Sequence, residues 1–276
     1  MDKLKRAERL VAISQILMAK PNTTIPLTFF AERFGAAKST ISEDLLTVKE
    51  SFEVSGQGRL ETLTGAAGGV RYLPGYPQNE SYIFLKDLAK KLSVPERILP
   101  GGYLYMTDIL FDPAFLRPLG LILGNAFREA EPEVVVTIET KGIPLALVTA
   151  ETLGVPLVII RRGSKVTEGS SVGINYVSGS TRRIDTMSLP RRALAEGKRV
   201  LLIDDFMKAG GTALGMMNLM AEFKAQVVGV GIFVEGGGNQ PKLVQRHLSL
   251  LQLNGLEAEK GEIFVVPAND GEIIYK

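Results

Sequence analysis

Apolar positions set the first frame. Between Leu4 and Ala19, Leu10, Ile13 and Leu17 recur at helical spacing with Val11 beside them, and Pro21-Asn22 ends the run. A second, shorter helix is expected after Pro26, where Leu27, Phe30, Ala31 and Phe34 recur at three-and-four spacing before Gly35. Lys38-Ser39-Thr40-Ile41-Ser42-Glu43-Asp44-Leu45 opens a third, with Thr40 and Glu43 as a capping box and Ile41, Leu45, Val48 and Phe52 along one apolar face. Arg59 to Leu63 and Val70 to Leu73 then read as two short strands, joined by the glycine-rich turn Thr64-Gly65-Ala66-Ala67-Gly68-Gly69. Three helices followed by a hairpin make a winged helix.

The pattern changes after Pro74-Gly75-Tyr76-Pro77, which punctuates the chain as a linker does. This predicts two domains, 1–74 and 75–276. Beyond a less readable stretch from Ser81 to Glu131, strand-like runs alternate with helical ones: Val134 to Ile138, a helix from Pro144 to Leu153, Leu157 to Ile160, Val200 to Ile203, a helix from Thr212 to Phe223, and Val227 to Val234. Such alternation implies βαβ units and a parallel sheet.

Composition narrows the chemistry. At 276 residues, 45% hydrophobic and 22% charged, the chain is expected to be a soluble, cytoplasmic protein with two modest cores and no membrane span. With no cysteine and His247 as the only histidine, thiolate chemistry and an imidazole or thiolate zinc site are excluded, so any metal would be a hard cation on oxygen ligands. The net charge of +2 is no footprint for sequence-blind nucleic-acid binding. Cations do cluster between Arg161 and Arg199, a segment that awaits an anion or salt-bridge partners elsewhere.

The most informative string is Val200-Leu201-Leu202-Ile203-Asp204-Asp205-Phe206-Met207-Lys208-Ala209-Gly210-Gly211-Thr212. An apolar strand delivers two adjacent carboxylates at its carboxyl end, where ligands sit in an open parallel sheet, and a glycine-containing loop then opens a helix. A phosphorylated ribose has matching needs. Its two hydroxyls want paired acceptors, and its phosphate wants N–H groups at a helix N-terminus with glycines permitting close approach. Asp204 and Asp205 would take the hydroxyls and the loop the phosphate; the bland alternative is an ordinary βα turn. After the strand from Val134 to Ile138, the turn Glu139-Thr140-Lys141-Gly142 also precedes a helix and could face a diphosphate.

This string resembles the phosphoribosyl pyrophosphate (PRPP) motif of the type I phosphoribosyltransferases, whose fold is a doubly wound parallel α/β sheet with a variable hood. The resemblance covers roughly residues 133–234. It implies PRPP contacts from Asp204, Asp205, Met207, Lys208, Ala209, Gly210, Gly211 and Thr212, and from Thr140, Lys141 and Gly142 at the position of the pyrophosphate loop. It departs where Lys208 replaces a small residue and Ala209 a frequent threonine; Lys208 either adds charge to the loop or points into water. The polar segment from Gly163 to Ser188, with Ser178-Gly179-Ser180-Thr181-Arg182-Arg183, occupies the place of that family's flexible closing loop. The hood is expected from Ser81 to Glu131 and the tail after Glu257. No base-binding signature is recognisable there.

Ile25-Pro26-Leu27-Thr28-Phe29-Phe30, Ile41-Ser42-Glu43-Asp44-Leu45 and Gly65-Ala66-Ala67-Gly68-Gly69-Val70, followed by the phosphoribosyl motif, resemble the purine operon repressors of Gram-positive bacteria along essentially the whole chain. That resemblance implies a homodimeric repressor of purine biosynthesis genes that binds double-stranded operator DNA and is relieved by PRPP. It implies a sensor and not an enzyme, with no catalytic residue, no required cofactor, PRPP as effector with or without magnesium, and metal ligands unknown. An active purine phosphoribosyltransferase with a regulatory DNA-binding domain is the alternative, and a sensor of another pyrophosphorylated nucleotide a third reading. The expected DNA contacts are Lys38, Ser39, Thr40 and Ser42 at the start of the third helix, with Arg59 and Arg71 flanking the hairpin tip. Glu43 and Asp44 would repel phosphate and are expected to turn away or to pair with cations. His247 reads as a surface helix residue, Gly236-Gly237-Gly238 as a strand exit, and Met216, Met217 and Met220 as packing or dimer surface.

Overall fold

The structure is a computed structural model describing residues 4–65, 68–100, 103–163, 169–177, 184–237, 242–257 and 262–268. It divides into two compact units, residues 1–78 with 151–154 and residues 79–150 with 155–276. No helix among the described residues is long and apolar enough to cross a membrane.

The first unit holds α1 (Arg6–Ala19), α2 (Leu27–Phe34), α3 (Lys38–Ser55) and the antiparallel pair β1 (Gly58–Leu63) and β2 (Gly69–Pro74). The periodic residues do the packing: Ile13, Leu17, Phe30, Ile41, Leu45, Val48 and Phe52 converge with Leu60, Val70 and Tyr72 in one core. Gly35 ends α2 in the left-handed conformation, φ 58°, which a side chain adopts only at a cost. The capping box expected at Thr40 does not form. Helix α3 starts three residues earlier, with Ala37 at the N-cap and no side-chain cap, so Thr40 already lies inside the first turn.

The second unit is built on a six-stranded sheet of order β12-β11-β10-β9-β5-β6: β5 (Val134–Ile138), β6 (Leu157–Ile160), β9 (Arg199–Met207), β10 (Gln226–Gly236), β11 (Leu248–Glu257) and β12 (Glu262–Pro267). All neighbours are parallel except β12, an antiparallel edge strand. Strands β5 and β9 read as continuous apolar runs because both faces are covered. On one face α8 (Gly211–Glu222) supplies Met216, Leu219 and Met220 to a core with Val134, Val136, Val200, Leu202 and Ile232. Met217 packs against the same core, so all three methionines serve packing. On the other face α6 (Pro113–Phe127) presses Phe127 on β10 at Gly229 and Gly231, where a Cβ would stand 2.5 and 3.0 Å from the ring. Helix α7 (Ile143–Leu153) links β5 to β6. The result is a doubly wound α/β sheet.

Two expectations need correction. The segment from Gly163 to Ser188 is no structureless loop: β7 (Ser171–Val177) and β8 (Ile184–Pro190) pair antiparallel over seven residues each. Its inward residues Val172, Tyr176, Met187 and Leu189 belong to the α8 core, which holds the ribbon down. Ser178-Gly179-Ser180-Thr181-Arg182-Arg183 lie outside the described residues. His247 is not on a helix but immediately before β11, with both ring nitrogens facing acceptors.

Ahead of the sheet come α4 (Gln78–Leu92), the two-residue strands β3 (Ile98–Leu99) and β4 (Tyr103–Leu104), and α5 (Thr107–Leu110). Arg97 fastens this region. Its guanidinium takes Asp108 bidentately at 2.8 Å and donates to the Lys91 and Tyr105 carbonyls at 2.9 Å.

Candidate ligand cleft and nucleic-acid interface

Going along the chain, the sheet grows from β5 to β6 on one side and from β9 through β10 to β11 on the other, so its winding reverses between β5 and β9. The crevice at the carboxyl ends of those strands is the ligand position of open α/β sheets. A cleft of about 1050 Å³ lies there. Its lining includes Asp204, Asp205, Met207, Lys208, Gly210, Gly211, Thr212, Thr140 and Lys141. Nine of the eleven expected ligand residues thus meet in one place.

The other two shape it without lining it. Gly142 packs so closely that a Cβ would stand 2.8 Å from Thr137 Oγ1, 3.5 Å from the Asp205 nitrogen and 3.6 Å from Asp204 Cα. The β5 turn therefore lies directly on the acid pair only because residue 142 has no side chain. The Glu139–Thr140 peptide in that turn is cis. Ala209 offers its carbonyl to the Leu243 N–H at 2.9 Å. Met207 lines the cleft near the end of β9, yet its side chain is buried in the core, which leaves its backbone for a ligand.

Asp204 is buried and Asp205 half-buried. Burial raises the Asp204 carboxyl well above the ordinary aspartate range, and the neighbouring Asp205 charge pushes it the same way. Asp204 Oδ1 accepts the Asp205 N–H at 3.0 Å, which fixes the pair's backbone. The pair suits a ligand that brings hydroxyl donors. Downstream, Gly210 (φ 89°) is the N-cap of α8 and no side chain caps that helix, so its first N–H groups are open to an anion.

Four lining contributions were missed in the sequence. Arg162 faces the cleft and is held by the β5 turn: its N–H donates to Glu139 Oε1 at 2.6 Å and its Nε to the Glu139 carbonyl at 3.2 Å. Leu99, Pro100, Tyr103, Leu104 and Met106 form an apolar wall, the hood expected between Ser81 and Glu131. Gly236 and Gly237 line the cleft as well as ending β10, and Leu253, Asn254 and Gly255 come from β11. The hood region and the cation cluster from Arg161 to Arg199 were legible as regions, but not these individual lining residues. Part of that cluster is spent inside the chain, as Arg161 on Glu139, Lys198 on Glu133 and Arg199 on Glu131. Among the described residues no three acidic or histidine side chains assemble as a metal site.

In the first unit, Lys38, Ser39 and Ser42 are exposed at the start of α3 and Thr40 is half-buried, while Ile41 and Leu45 turn to the core. A helix presented in this way offers short polar groups and one cation to a groove. Glu43 is exposed. Asp44 of α3 is buried against α1, taking Arg9 Nε at 2.5 Å and Arg6 Nε at 3.3 Å. The two arginines of the hairpin do not flank its tip. Strand register sets Arg59 opposite Leu73 and Arg71 opposite Glu61, and the Glu61 carboxylate takes both guanidiniums, Arg71 at 2.6 Å and Arg59 at 3.4 Å. The Arg71 hydrogen bond, against a smaller burial effect, holds the Glu61 carboxyl below its ordinary range.

Comparison with known proteins agrees with both halves. Residues 5–74 match the family described as "Bacterial purine repressor, N-terminal", and residues 106–255 match "Phosphoribosyl transferase domain". The chain is 51% identical to the purine biosynthesis transcriptional repressor PurR of Bacillus subtilis, over 97% of this chain and 94% of that one. It is 42% identical to the purine biosynthesis transcriptional activator PurR of Lactococcus lactis subsp. lactis, over 96% of this chain and 98% of that one. Among solved structures, adenine phosphoribosyltransferase from Thermoanaerobacter pseudethanolicus superposes with a TM-score of 0.51 at 20% identity, covering 60% of this chain and 98% of that one, which supports the fold alone. With a repressor-type N-terminal domain, a phosphoribosyltransferase-type sheet and end-to-end similarity to such regulators, the chain belongs to the bacterial purine repressor family.

Proposed function

We propose that this chain is a cytoplasmic, homodimeric repressor of purine biosynthesis genes, which holds operator DNA through its winged helix and is released when PRPP fills the cleft. The observation that carries this reading is the meeting of an acid pair and an uncapped helix start in one crevice. The ribose hydroxyls donate to Asp204 and Asp205, and the 5′-phosphate takes the N–H groups of the 208–212 turn. The diphosphate reaches the β5 turn, with Lys141 and Arg162 supplying positive charge. Magnesium, where present, travels on the diphosphate.

Sensing differs from catalysis in what must be bound. Phosphoribosyl transfer requires a purine nucleophile held against the ribose as positive charge develops there, in addition to a stabilised pyrophosphate. The reading as a regulator follows the relatives named above, and repression follows the nearer of the two, since the other is named an activator.

The test is an electrophoretic mobility titration with DNA from upstream of a purine biosynthesis operon, with and without PRPP and magnesium. Sequence-specific retardation is expected, lost as PRPP rises and unaffected by ribose 5-phosphate or pyrophosphate added singly. Retardation indifferent to PRPP would overturn the effector assignment. Nucleotide formed from PRPP and a purine base at enzymatic rates would favour the phosphoribosyltransferase alternative.

A further inference from the structure

A loop that turns its N–H groups toward an anion turns carbonyls elsewhere, and those carbonyls need donors. In this chain they are met by a segment more than thirty residues onward. Lys242 Nζ donates to the Lys208 carbonyl at 2.6 Å and to the Gly236 carbonyl, and lies 3.6 Å from Glu235 Oε1. The next N–H, of Leu243, donates to the Ala209 carbonyl. The Lys242 side chain is only 16% exposed, and two of its three donors are taken by backbone carbonyls with the Glu235 carboxylate close by.

The ammonium group is itself held. Glu235 stands beside Met207 in the β9–β10 register, and its second oxygen accepts from Ser249 Oγ at 3.0 Å and meets His247 Nε2 at 2.9 Å. His247 Nδ1 lies 3.0 Å from the Val244 carbonyl, which closes the segment on itself. Burial pushes the Glu235 carboxyl up, but the His247 and Ser249 hydrogen bonds and the Lys242 charge outweigh it and keep it below the ordinary range. The sole histidine of the chain thus belongs to a brace behind the anion loop.

We propose that Lys242 is a positioning residue for the phosphate turn: by binding the outward carbonyls of Lys208 and Gly236 it fixes the turn's N–H groups toward the ligand's terminal phosphate. The proposal rests on the reading of the cleft as a PRPP site. Lys242 does not line the cleft, so it acts through the backbone of the turn and through its charge.

The test is calorimetric titration of full-length protein with three probes, PRPP, ribose 5-phosphate and inorganic pyrophosphate, on wild type, Lys242→Met and Lys242→Gln, with a melting curve for each. Loss of the charge-assisted hydrogen bonds to the turn at Lys208 and to the adjoining end of β10 at Gly236 should weaken PRPP and ribose 5-phosphate by the same factor, roughly tenfold, in Lys242→Met. Pyrophosphate, which uses the β5 turn, should bind as before. Lys242→Gln, which keeps donors but not the charge, should lose about threefold for the same two probes, and it decides by the same contrast if the methionine variant does not fold. Unchanged PRPP affinity in Lys242→Met, or equal loss for all three probes, overturns the proposal. Wild-type protein that binds no PRPP overturns the underlying site reading instead, and the two failures are distinct.

Discussion

Two aspartates are buried among the described residues, and they are opposites. Asp44 in the winged helix is 1% exposed and sits between Arg9 and Arg6, so its charge is compensated within the fold. Asp204 in the sheet domain is 5% exposed, and the charge that acts on it most strongly is that of another carboxylate. A buried charge that is paired from within serves the core. One set against a like charge in a cleft is a cost to the fold that a ligand can offset. The contrast separates structure from function in a chain whose acids look alike in sequence, since Glu43-Asp44 and Asp204-Asp205 are both acidic pairs.

The greatest loss of stability is expected at Asp44. Asp44→Ala leaves Arg9 buried without its carboxylate and is expected to destabilise the N-terminal unit by about 3 kcal/mol. Urea denaturation of the full chain, followed with a probe in that unit, should show its transition at lower denaturant. An unchanged midpoint would mean that the ion cluster contributes little.

A smaller effect of opposite sign is expected at Asp204. Its folded-state carboxyl is raised above the unfolded value, so ionisation opposes folding, and wild-type stability falls as pH rises from the ordinary aspartate range through the folded one. Asp204→Asn keeps an oxygen to accept the Asp205 N–H and removes that slope. Without ligand, its melting temperature at neutral pH should exceed wild type by a few degrees, about what 1 kcal/mol shifts in a domain of this size. The gap should narrow as pH is lowered. A variant less stable than wild type at neutral pH would place Asp204 with Asp44 among the structural acids.

How much of this was legible in the sequence depends on where the ordering forces are local. Val134–Ile138 and Leu157–Ile160 are strands at the positions that their apolar runs predict: the first is buried on both faces and carries that signal outright, and the second, a half-buried edge strand, keeps it in four consecutive apolar residues. The acid pair and glycine turn were legible because chemistry and chain direction coincide at a strand's carboxyl end. The β7–β8 ribbon was not read, although Val172, Ile174 and Tyr176 alternate at period two; the Ser- and Gly-rich stretch between the strands outweighed that pattern. Thr40 looked like an N-cap because Glu43 stands three residues on, yet the helix begins earlier, where no side chain marks it. The roles of Glu61, Arg162, Lys242 and His247 depend on cross-strand register and on contacts between distant segments, which local periodicity does not carry.

Whether Asp204, Asp205 and the turn to Thr212 form the effector site is decided by calorimetric titration of PRPP into wild type and Asp205→Ala. One saturable site per chain is expected in wild type, and affinity at least about tenfold weaker in the variant with little change in melting temperature. Equal affinity in the two proteins would contradict it.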